Sequence, residues 1–291
     1  MNYAYFYLGE VPDYVTFSLN SILSVDKDAE IFFCSNKSLS YKNVNYINIE
    51  DIESDLTKAI KNLNIYDETS YDPEINKLWI TSLLRIFYLR DFMFFNKKES
   101  FVHFDVDVMI YKEFSALEEV FDKNRLNITE FNKDFPIFGY SFIPSFENFN
   151  KICNKIYDFL SSEEYISEDY YKRHPLNEMQ ILGIIKKNNE ELFNILPSLP
   201  YENSRFLFDP STYGQYFDGT HESPKKFYKK RKAIPSHKVG QEISSKRIIP
   251  KFVNRKPFIT HKENTYEIVN LHFHSKRLKN FLPNGYKTYT E

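Results

Sequence analysis

Short apolar runs alternate with segments of helical periodicity in the first third of the chain. The runs at residues 3–8, 30–34 and 44–49 have the length and the aromatic and β-branched content of buried strands. Between and after them, residues 12–23 and 51–64 carry apolar side chains at helical spacing. The resulting β-α-β-β-α order predicts parallel-sheet units, and therefore an α/β fold class.

A long apolar helix and a central strand follow. Residues 78–95 are apolar almost all round, so we expect this helix to be buried. The other predicted elements are a central strand, a further strand, two helices and a late strand, at residues 100–110, 137–143, 146–160, 177–187 and 266–274. We find no internal repeat and no linker, and we predict a single domain over residues 1–291 with an irregular C-terminal extension.

Composition excludes several classes of protein. Apolar residues make up 42% of the 291 residues, as in an ordinary globular protein. Only seven glycines occur, which argues against a glycine-rich phosphate loop. Cys34 and Cys153 have no metal-ligand spacing, so we expect two reduced, buried thiols. Without a signal-peptide pattern or an apolar run of about 18 residues, the chain is predicted to be soluble and cytoplasmic.

Charge is distributed unevenly along the chain. The net charge is −2, but basic residues gather at 225–232 and again at 246–256. A solvated surface is the favoured interpretation, and contact with an anionic substrate or peripheral contact with a membrane are the alternatives. No nucleic-acid partner is expected, because the rest of the chain is acidic and no binding motif accompanies the basic segments.

The segment FVHFDVDVMIY at 101–111 places two carboxylates at the end of an apolar strand. The period of a strand predicts that Asp105 and Asp107 lie on one side and Val106 on the other. Two like charges so close require a cation or hydrogen-bond donors, and strand ends of α/β sheets are common ligand sites. A divalent cation that links both carboxylates to a diphosphate would meet both conditions.

This motif and the elements before it resemble the GT-A glycosyltransferases, in particular the glycogenin-like and capsule-type families. The resemblance covers most of the chain and implies a Rossmann-like, mostly parallel sheet flanked by helices. Residues 1–110 would bind a nucleotide, and residues 111–291 would hold the acceptor and complete the metal site. The implied activity is metal-dependent transfer of a sugar from a nucleotide diphosphate sugar, UDP-linked, to a hydroxyl of a glycan. Mn²⁺ or Mg²⁺ would be the cofactor, bound by Asp105 and Asp107.

Two basic elements support this resemblance. Arg85 lies within the long apolar helix, where a buried guanidinium needs an anionic partner, either the donor or a structural carboxylate. In VNLHFHSKRL (269–278), His272, His274 and Lys276 alternate. Glycogenin-like enzymes have a late histidine in the metal shell and a lysine on the diphosphate, which implies His272 as the ligand, with His274 open, and Lys276 as the phosphate contact. The family's usual glycine and Lys-Pro-Trp ending are absent, yet the element favours a retaining hexosyltransferase.

Further site residues are implied by position. Leu8, Gly9 and Glu10, at the exit of the first strand, match the place where such enzymes hold the base and ribose, and Val106 belongs to the donor motif. The segment 138–145 resembles the wall of the sugar pocket. Glu178 opens a helix and Asp209 lies in the loop-rich segment 208–219. Either carboxylate is a candidate general base near the acceptor.

Two other functions are compatible with an apolar strand followed by Asp-x-Asp. A haloacid-dehalogenase-like phosphohydrolase would use Asp105 as its nucleophile, although we find no later acidic pair of the required spacing. A non-catalytic carbohydrate-binding protein would stack its aromatic side chains on sugars and hold structural calcium with the aspartates. Turnover that depends on a nucleotide-sugar donor would separate the transferase from both.

Overall fold

A mixed α/β architecture is present in the computed structural model, which describes residues 1–66, 73–168, 171, 175–219 and 236–290. The strands within these residues are β1 (Asn2–Tyr7), β2 (Glu30–Ser35), β3 (Asn45–Asn48), β4 (Phe101–Phe104), β5 (Val108–Ile110), β6 (Leu126–Asn132), β7 (Phe135–Ile143), β8 (Phe193–Ile195), β9 (Phe206–Leu207), β10 (Pro250–Val253), β11 (Lys256–His261), β12 (Asn264–Ile268) and β13 (Asn270–His272). The helices are α1 (Val15–Val25), α2 (Asp55–Asn62), α3 (Pro73–Phe95), α4 (Phe146–Leu160), α5 (Glu163–Ser167), α6 (Glu178–Asn188), α7 (Tyr213–Asp218) and α8 (Lys238–Ser244).

Seven strands form the central sheet, in the order β3-β2-β1-β4-β7-β6-β8. Strands β3, β2, β1 and β4 are parallel to one another, β7 is antiparallel to both β4 and β6, and β8 is again parallel to β6. A smaller sheet has the order β10-β11-β12-β9, and β13 pairs with β5 as a two-stranded ribbon. The predicted fold class, a mostly parallel sheet in an α/β protein, is confirmed.

The central sheet is apolar on both faces, as expected for parallel strands covered by helices. Along β1, Ala4 and Phe6 face one apolar layer, while Tyr3 and Tyr5 face the other. Helices α3, α4 and α6 cover the first layer, and α1 covers the second. None of the helices in the described ranges combines the length and apolar character that crossing a membrane requires.

The predicted strand 100–110 is wrong in one respect that matters for the site. Strand β4 ends at Phe104, and β5 begins only at Val108. Between them the amide of Val108 donates to the carbonyl oxygen of Asp105 at 3.0 Å, which closes a turn. The chain turns here because it changes partners: β4 pairs with β7, whereas β5 pairs with β13.

Other differences from the predicted elements concern short strands. The late strand 266–274 is two strands, β12 and β13, and strands β6 and β8 to β11 were not predicted. The basic segment 246–256 contributes β10 and the turn into β11, and the basic segment 225–232 lies outside the described residues. Short hairpins carry few residues per strand, so their local pattern is weak even where pairing in the fold is extensive.

Candidate active site

The turn between β4 and β5 places Asp105 and Asp107 in one cluster. The amide of Asp105 donates to the carbonyl oxygen of Gly139 at 3.0 Å, so the turn is anchored on β7. Val106 is buried in the apolar layer beneath the turn. The carboxylates converge by means of this turn, and the period-two geometry expected for a continuous strand does not apply.

His272 completes the cluster from the end of β13. Its Nε2 atom lies 3.1 Å from Oδ1 of Asp107 and 3.8 Å from Oδ2 of Asp105. One ligand atom from each of the three side chains lies within 4.8 Å of the others. The position of His272 follows from the ribbon, because β13 pairs His272 with Val108 and the amide of Phe273 donates to the carbonyl oxygen of Asp107 at 3.0 Å.

His274 lies outside this cluster. Its Nε2 atom is 2.7 Å from the hydroxyl oxygen of Ser211, and its Nδ1 atom is 3.2 Å from Nε2 of Gln215. Both ring nitrogens therefore face side chains of the segment before and within α7. Of the two histidines that the sequence left open, the geometry places His272 beside the carboxylates.

Lys276 approaches the cluster from the loop after β13. Its ammonium group forms an ion pair with Oδ2 of Asp107 and lies 5.8 Å from the centre of the Tyr14 ring. Burial alone would raise the pKa of Asp107, but the charges of His272 and Lys276 outweigh burial and hold that pKa well below its usual range. Asp107 is therefore an anion in a largely buried setting, with two cationic or polar partners.

Arg85 on α3 joins the other carboxylate to a second acidic residue. The guanidinium donates to Asp105, and its NH2 nitrogen lies 2.9 Å from each carboxylate oxygen of Glu178. The guanidinium also lies 5.4 Å from the centre of the Phe138 ring. In the structure Arg85 is paired with a candidate metal ligand and with a second buried carboxylate.

Glu178 owes its position to the start of α6. The Asn177 side chain accepts from the amide of Gln180, and the Gln180 side chain accepts from the amide of Asn177, each at 3.0 Å. This capping box fixes Glu178 in the first helical turn with 5% exposure. Burial raises its pKa, and the neighbouring charge of Arg85 opposes that rise. Glu178 thus belongs to the same polar cluster as Asp105, through Arg85.

The cluster has the chemistry and the space for a divalent cation. Two carboxylates and one imidazole form a donor set that suits Mn²⁺ or Mg²⁺. Beneath them is Gly139, where a Cβ atom would come within 2.8 Å of Oδ2 of Asp105 and 3.2 Å of Cε1 of His272. A glycine inside a strand marks a close approach, and here it leaves open the space between two candidate ligands.

His103 is a neighbour of the cluster that we did not identify from the sequence. Its Nδ1 atom lies 2.8 Å from the carbonyl oxygen of Ala4, so this nitrogen carries the hydrogen and Nε2 presents a lone pair. The Nε2 atom is 4.0 Å from Oδ1 of Asp105 and has no hydrogen-bond partner among the described residues. Burial, with the charge of Arg85, lowers the pKa of His103, so the ring is neutral. The sequence did contain a signal for His103, because this residue alternates with Asp105 along the predicted strand.

The exit of β1 opens beside the cluster. Gly9 has a φ of +93°, and its amide donates to Oδ1 of Asn36 at 2.8 Å. Leu8 packs against the apolar layer under α3, and the exposed Glu10 lies 3.6 Å from Lys37. The preceding residue, Tyr7, has its pKa raised by burial, and this pKa also responds to the charges of Lys276 and Asp107. The end of β1 at Tyr7 therefore lies within electrostatic range of Lys276 and Asp107, and the nucleotide-binding role of residues 8–10 stays a prediction.

Asp209 differs from the other predicted site residues because its carboxylate is bonded to backbone amides. Its carboxylate is 2% exposed and accepts from four backbone amides: Thr212 (2.6 Å), Tyr213 (2.7 Å), Gly214 (2.9 Å) and His272 (2.9 Å). A general base needs an accessible oxygen with a free lone pair. The catalytic role of Asp209 therefore stays a prediction, and the structure shows its carboxylate on the backbone of the candidate ligand His272.

The close approach of Gly139 to two candidate ligands predicts the effect of a substitution at this position. Gly139→Ala should weaken Mn²⁺ binding about tenfold, because the new methyl group crowds Asp105 and His272. Gly285→Ala is the matched control, since Gly285 has a φ of +72° that disfavours a Cβ atom and has no atom within 4 Å of its Cβ position. We expect the control to lower the melting temperature without changing Mn²⁺ affinity, as measured by titration calorimetry. Equal Mn²⁺ affinity in wild type and Gly139→Ala would contradict this view of the site.

Proteins of similar structure are glycosyltransferases. Mouse xyloside xylosyltransferase 1 matches with a TM-score of 0.44 and 12% identity, over 68% of this chain and 86% of its own. GlyE of Streptococcus pneumoniae TIGR4 matches with a TM-score of 0.40 and 12% identity over 67% of this chain, which spans only 44% of GlyE. The galactosyltransferase LgtC, in complex with donor and acceptor sugar analogs, matches with a TM-score of 0.39 and 14% identity, over 79% and 82%.

No family model matches this chain, and no curated protein sequence matches it. Since the TM-scores of the similar structures are below 0.5, we base the functional proposal on the residues of the site itself.

Proposed function

We propose that this protein is a GT-A-type, metal-dependent glycosyltransferase that uses a nucleotide diphosphate sugar as its donor. The observation that carries the proposal is the cluster of Asp105, Asp107 and His272, with Lys276 beside one carboxylate and Arg85 beside the other. Asp105, Asp107 and His272 would hold the cation. A mixed carboxylate and imidazole set suits Mn²⁺ slightly better than Mg²⁺.

The surrounding residues support breakage of a sugar–phosphate bond. When bound, the cation supplies Lewis-acid stabilisation of the charge that develops on the leaving diphosphate. The Lys276 side chain is 40% exposed, so its ammonium group can turn from Asp107 to a phosphate oxygen. Arg85 is buried and pairs with Asp105. This pairing holds the Asp105 carboxylate in position, so the carboxylate need not reorganise during the reaction. Leu8, Gly9 and Glu10 would border the base and ribose, with UDP as the proposed nucleotide.

A retaining transfer of a hexose to a glycan hydroxyl is the favoured form of the reaction. An inverting enzyme needs a carboxylate base with a free lone pair beside the acceptor. Both oxygens of Glu178 lie against Arg85, and the oxygens of Asp209 accept from four amides. Glu178 is thus paired with a cation at both oxygens, and Asp209 has all of its lone pairs in hydrogen bonds, which supports retention. Glu178 is proposed instead to hold Arg85, and through it Asp105.

The phosphohydrolase alternative is not favoured. A nucleophilic Asp105 would need a free carboxylate oxygen facing the phosphorus, whereas Oδ1 of Asp105 is paired with Arg85 and Oδ2 faces His272. A carbohydrate-binding protein without activity would not need a lysine and an arginine on the two metal carboxylates. Turnover of a nucleotide sugar would distinguish the transferase from both alternatives.

The proposal is tested by incubating the protein with UDP-hexoses and Mn²⁺ and measuring released UDP. We expect slow hydrolysis of at least one donor, loss of release with a chelator, and recovery with added Mn²⁺. A phosphate monoester in place of the donor is the control and should not be hydrolysed. Hydrolysis of the monoester with no turnover of any nucleotide sugar would support the phosphohydrolase and refute the transferase.

A further inference from the structure

The residues that would bind the cation and the diphosphate are held by a neighbouring segment. This segment, residues 209–218, consists of a loop and α7, and we refer to it as the clasp. We propose that the clasp positions His272 and Lys276 for their roles, with Asp209 acting on His272 and Asp218 acting on Lys276. The inference rests on the proposed function, and it assigns Asp209 and Asp218 as positioning residues.

At one end of the clasp, Asp209 joins α7 to the metal ligand. Its carboxylate accepts from the amides of Thr212, Tyr213 and Gly214, which lie at the start of α7. The same carboxylate accepts from the backbone amide of His272 at 2.9 Å. Hydrogen bonds to an ionised acceptor are stronger than neutral ones, and this acceptor is buried. The backbone of His272 is therefore bonded to the start of α7.

Gly214 contacts the carbonyl end of the His272 backbone. A Cβ atom at Gly214 would overlap the backbone carbonyl of His272. Only a glycine lets α7 approach so closely, although the φ of this residue is not in the left-handed region. The clasp thus contacts the amide of His272 through Asp209 and its carbonyl through Gly214. In the middle of the clasp, Ser211 lies 2.7 Å from the His274 ring.

At the other end, Asp218 holds the residues on both sides of Lys276. Its carboxylate accepts from the hydroxyl of Ser275 at 2.5 Å and from Nε of Arg277 at 2.7 Å. Its carbonyl oxygen accepts from the Arg277 guanidinium at 2.6 Å. Between them Lys276 has a φ of +61°, a left-handed conformation that residues with a Cβ atom seldom adopt. Because both neighbours are tied to Asp218, Lys276 keeps this conformation and its ammonium group reaches Asp107.

The two ends of the clasp should have separate effects on binding. Loss of the Asp209 carboxylate should loosen His272, and so weaken the binding of the cation itself. Loss of the Asp218 carboxylate should release Lys276 while leaving the three candidate metal ligands in place. A merely structural role would lower stability in both cases and would not separate the binding of metal from the binding of phosphate.

The test uses the full chain, with Mn²⁺ alone as the first probe and inorganic pyrophosphate added to the Mn²⁺-saturated protein as the second. Dissociation constants are measured by titration calorimetry, and free Mn²⁺ is followed by electron paramagnetic resonance. We expect Asp209→Asn to weaken Mn²⁺ binding by roughly 10-fold to 100-fold, the usual effect of losing a group that orients a metal ligand. We expect Asp218→Asn to leave Mn²⁺ affinity within about twofold of wild type and to weaken pyrophosphate binding about tenfold.

Matched variants control for stability. Asp91→Asn removes another buried carboxylate that accepts from an amide, that of Ser54 at 2.9 Å, where α2 packs on α3. It should lower the melting temperature without changing either affinity. Arg277→Ala, at a side chain that is 54% exposed, should reproduce the loss of pyrophosphate binding. Arg247→Ala, at a side chain 70% exposed and paired with Glu242, should not.

The outcomes separate the clasp from the proposed function. Wild-type affinities for Mn²⁺ and pyrophosphate in folded Asp209→Asn and Asp218→Asn would overturn the clasp and leave the glycosyltransferase standing. If Asp209→Asn does not fold, the two arginine variants provide the test. Equal pyrophosphate affinities of Arg277→Ala and Arg247→Ala would overturn the positioning of Lys276 by Asp218. A wild-type protein that binds no Mn²⁺ would refute the metal-dependent function, and the clasp with it.

Discussion

Asp107→Ala is expected to reduce manganese-stimulated turnover of the donor by on the order of 10³-fold, the scale on which fixed electrostatic partners of a reacting group act. Asp107 is the most buried of the candidate metal ligands, with 2% exposure, and its low pKa keeps it ionised. It contacts His272 at 3.1 Å and also pairs with Lys276. Its loss therefore removes a metal ligand and the partner that holds the phosphate-binding lysine.

The measurement is release of UDP from the active donor at saturating Mn²⁺, with circular dichroism to establish that the variant is folded. Asp55→Ala is the control, because Asp55 is a fully exposed carboxylate of α2 that pairs with Lys58 on the same helix. The control should keep wild-type turnover. Turnover within about twofold of wild type in folded Asp107→Ala would exclude Asp107 from the reaction, since the expected loss is far larger.

Arg85→Met is expected to lower the free energy of unfolding by about 3–5 kcal/mol at pH 7, the usual cost of leaving one member of a buried ion pair alone. Arg85 donates to both oxygens of Glu178, whose side chain is only 6% exposed. Methionine fills a similar volume but leaves Glu178 as a buried carboxylate without its cation. Asp105 loses a partner too, although it is more accessible, at 24% exposure of its side chain.

The double variant Arg85→Met/Glu178→Gln distinguishes this cause from a packing defect. A neutral glutamine carries no charge to desolvate, so much of the lost stability should return, as measured by urea unfolding at several pH values. In the single variant, burial holds the folded pKa of Glu178 above its unfolded value. The protein should then be least destabilised below about pH 4.3, the ordinary pKa of glutamate, and should lose stability as pH rises. A loss below about 1 kcal/mol that does not vary with pH would show that Glu178 is not a buried anion held by Arg85.

The parts of the site that follow local pattern were predicted from the sequence. The apolar residues around Arg85 indicated from the sequence that it is a buried cation. Helix α4 begins and ends at the predicted residues, 146 and 160. The alternation of His272, His274 and Lys276 marked a late basic element, and the resemblance to glycogenin-like enzymes implied that it joins the Asp-x-Asp motif. These features are encoded by side chains close together in the chain, where period and burial are visible.

The parts that depend on distant backbone were not predictable in the same way. The turn at Asp105 exists because β4 pairs with β7, whereas β5 pairs with β13, more than 150 residues later. The role of Asp209 depends on four backbone amides, one of them at His272, and an amide leaves no mark in the sequence. Gly139 is a single glycine in a strand, and its meaning depends on the two side chains above it.

The most direct test of the metal-binding cluster is a crystal of the protein grown with Mn²⁺ and UDP, measured at the manganese absorption edge. We expect one anomalous peak in contact with Asp105, Asp107 and His272, and diphosphate density beside Lys276. Manganese bound elsewhere, or all three side chains turned away from an ordered nucleotide, would contradict the proposed site.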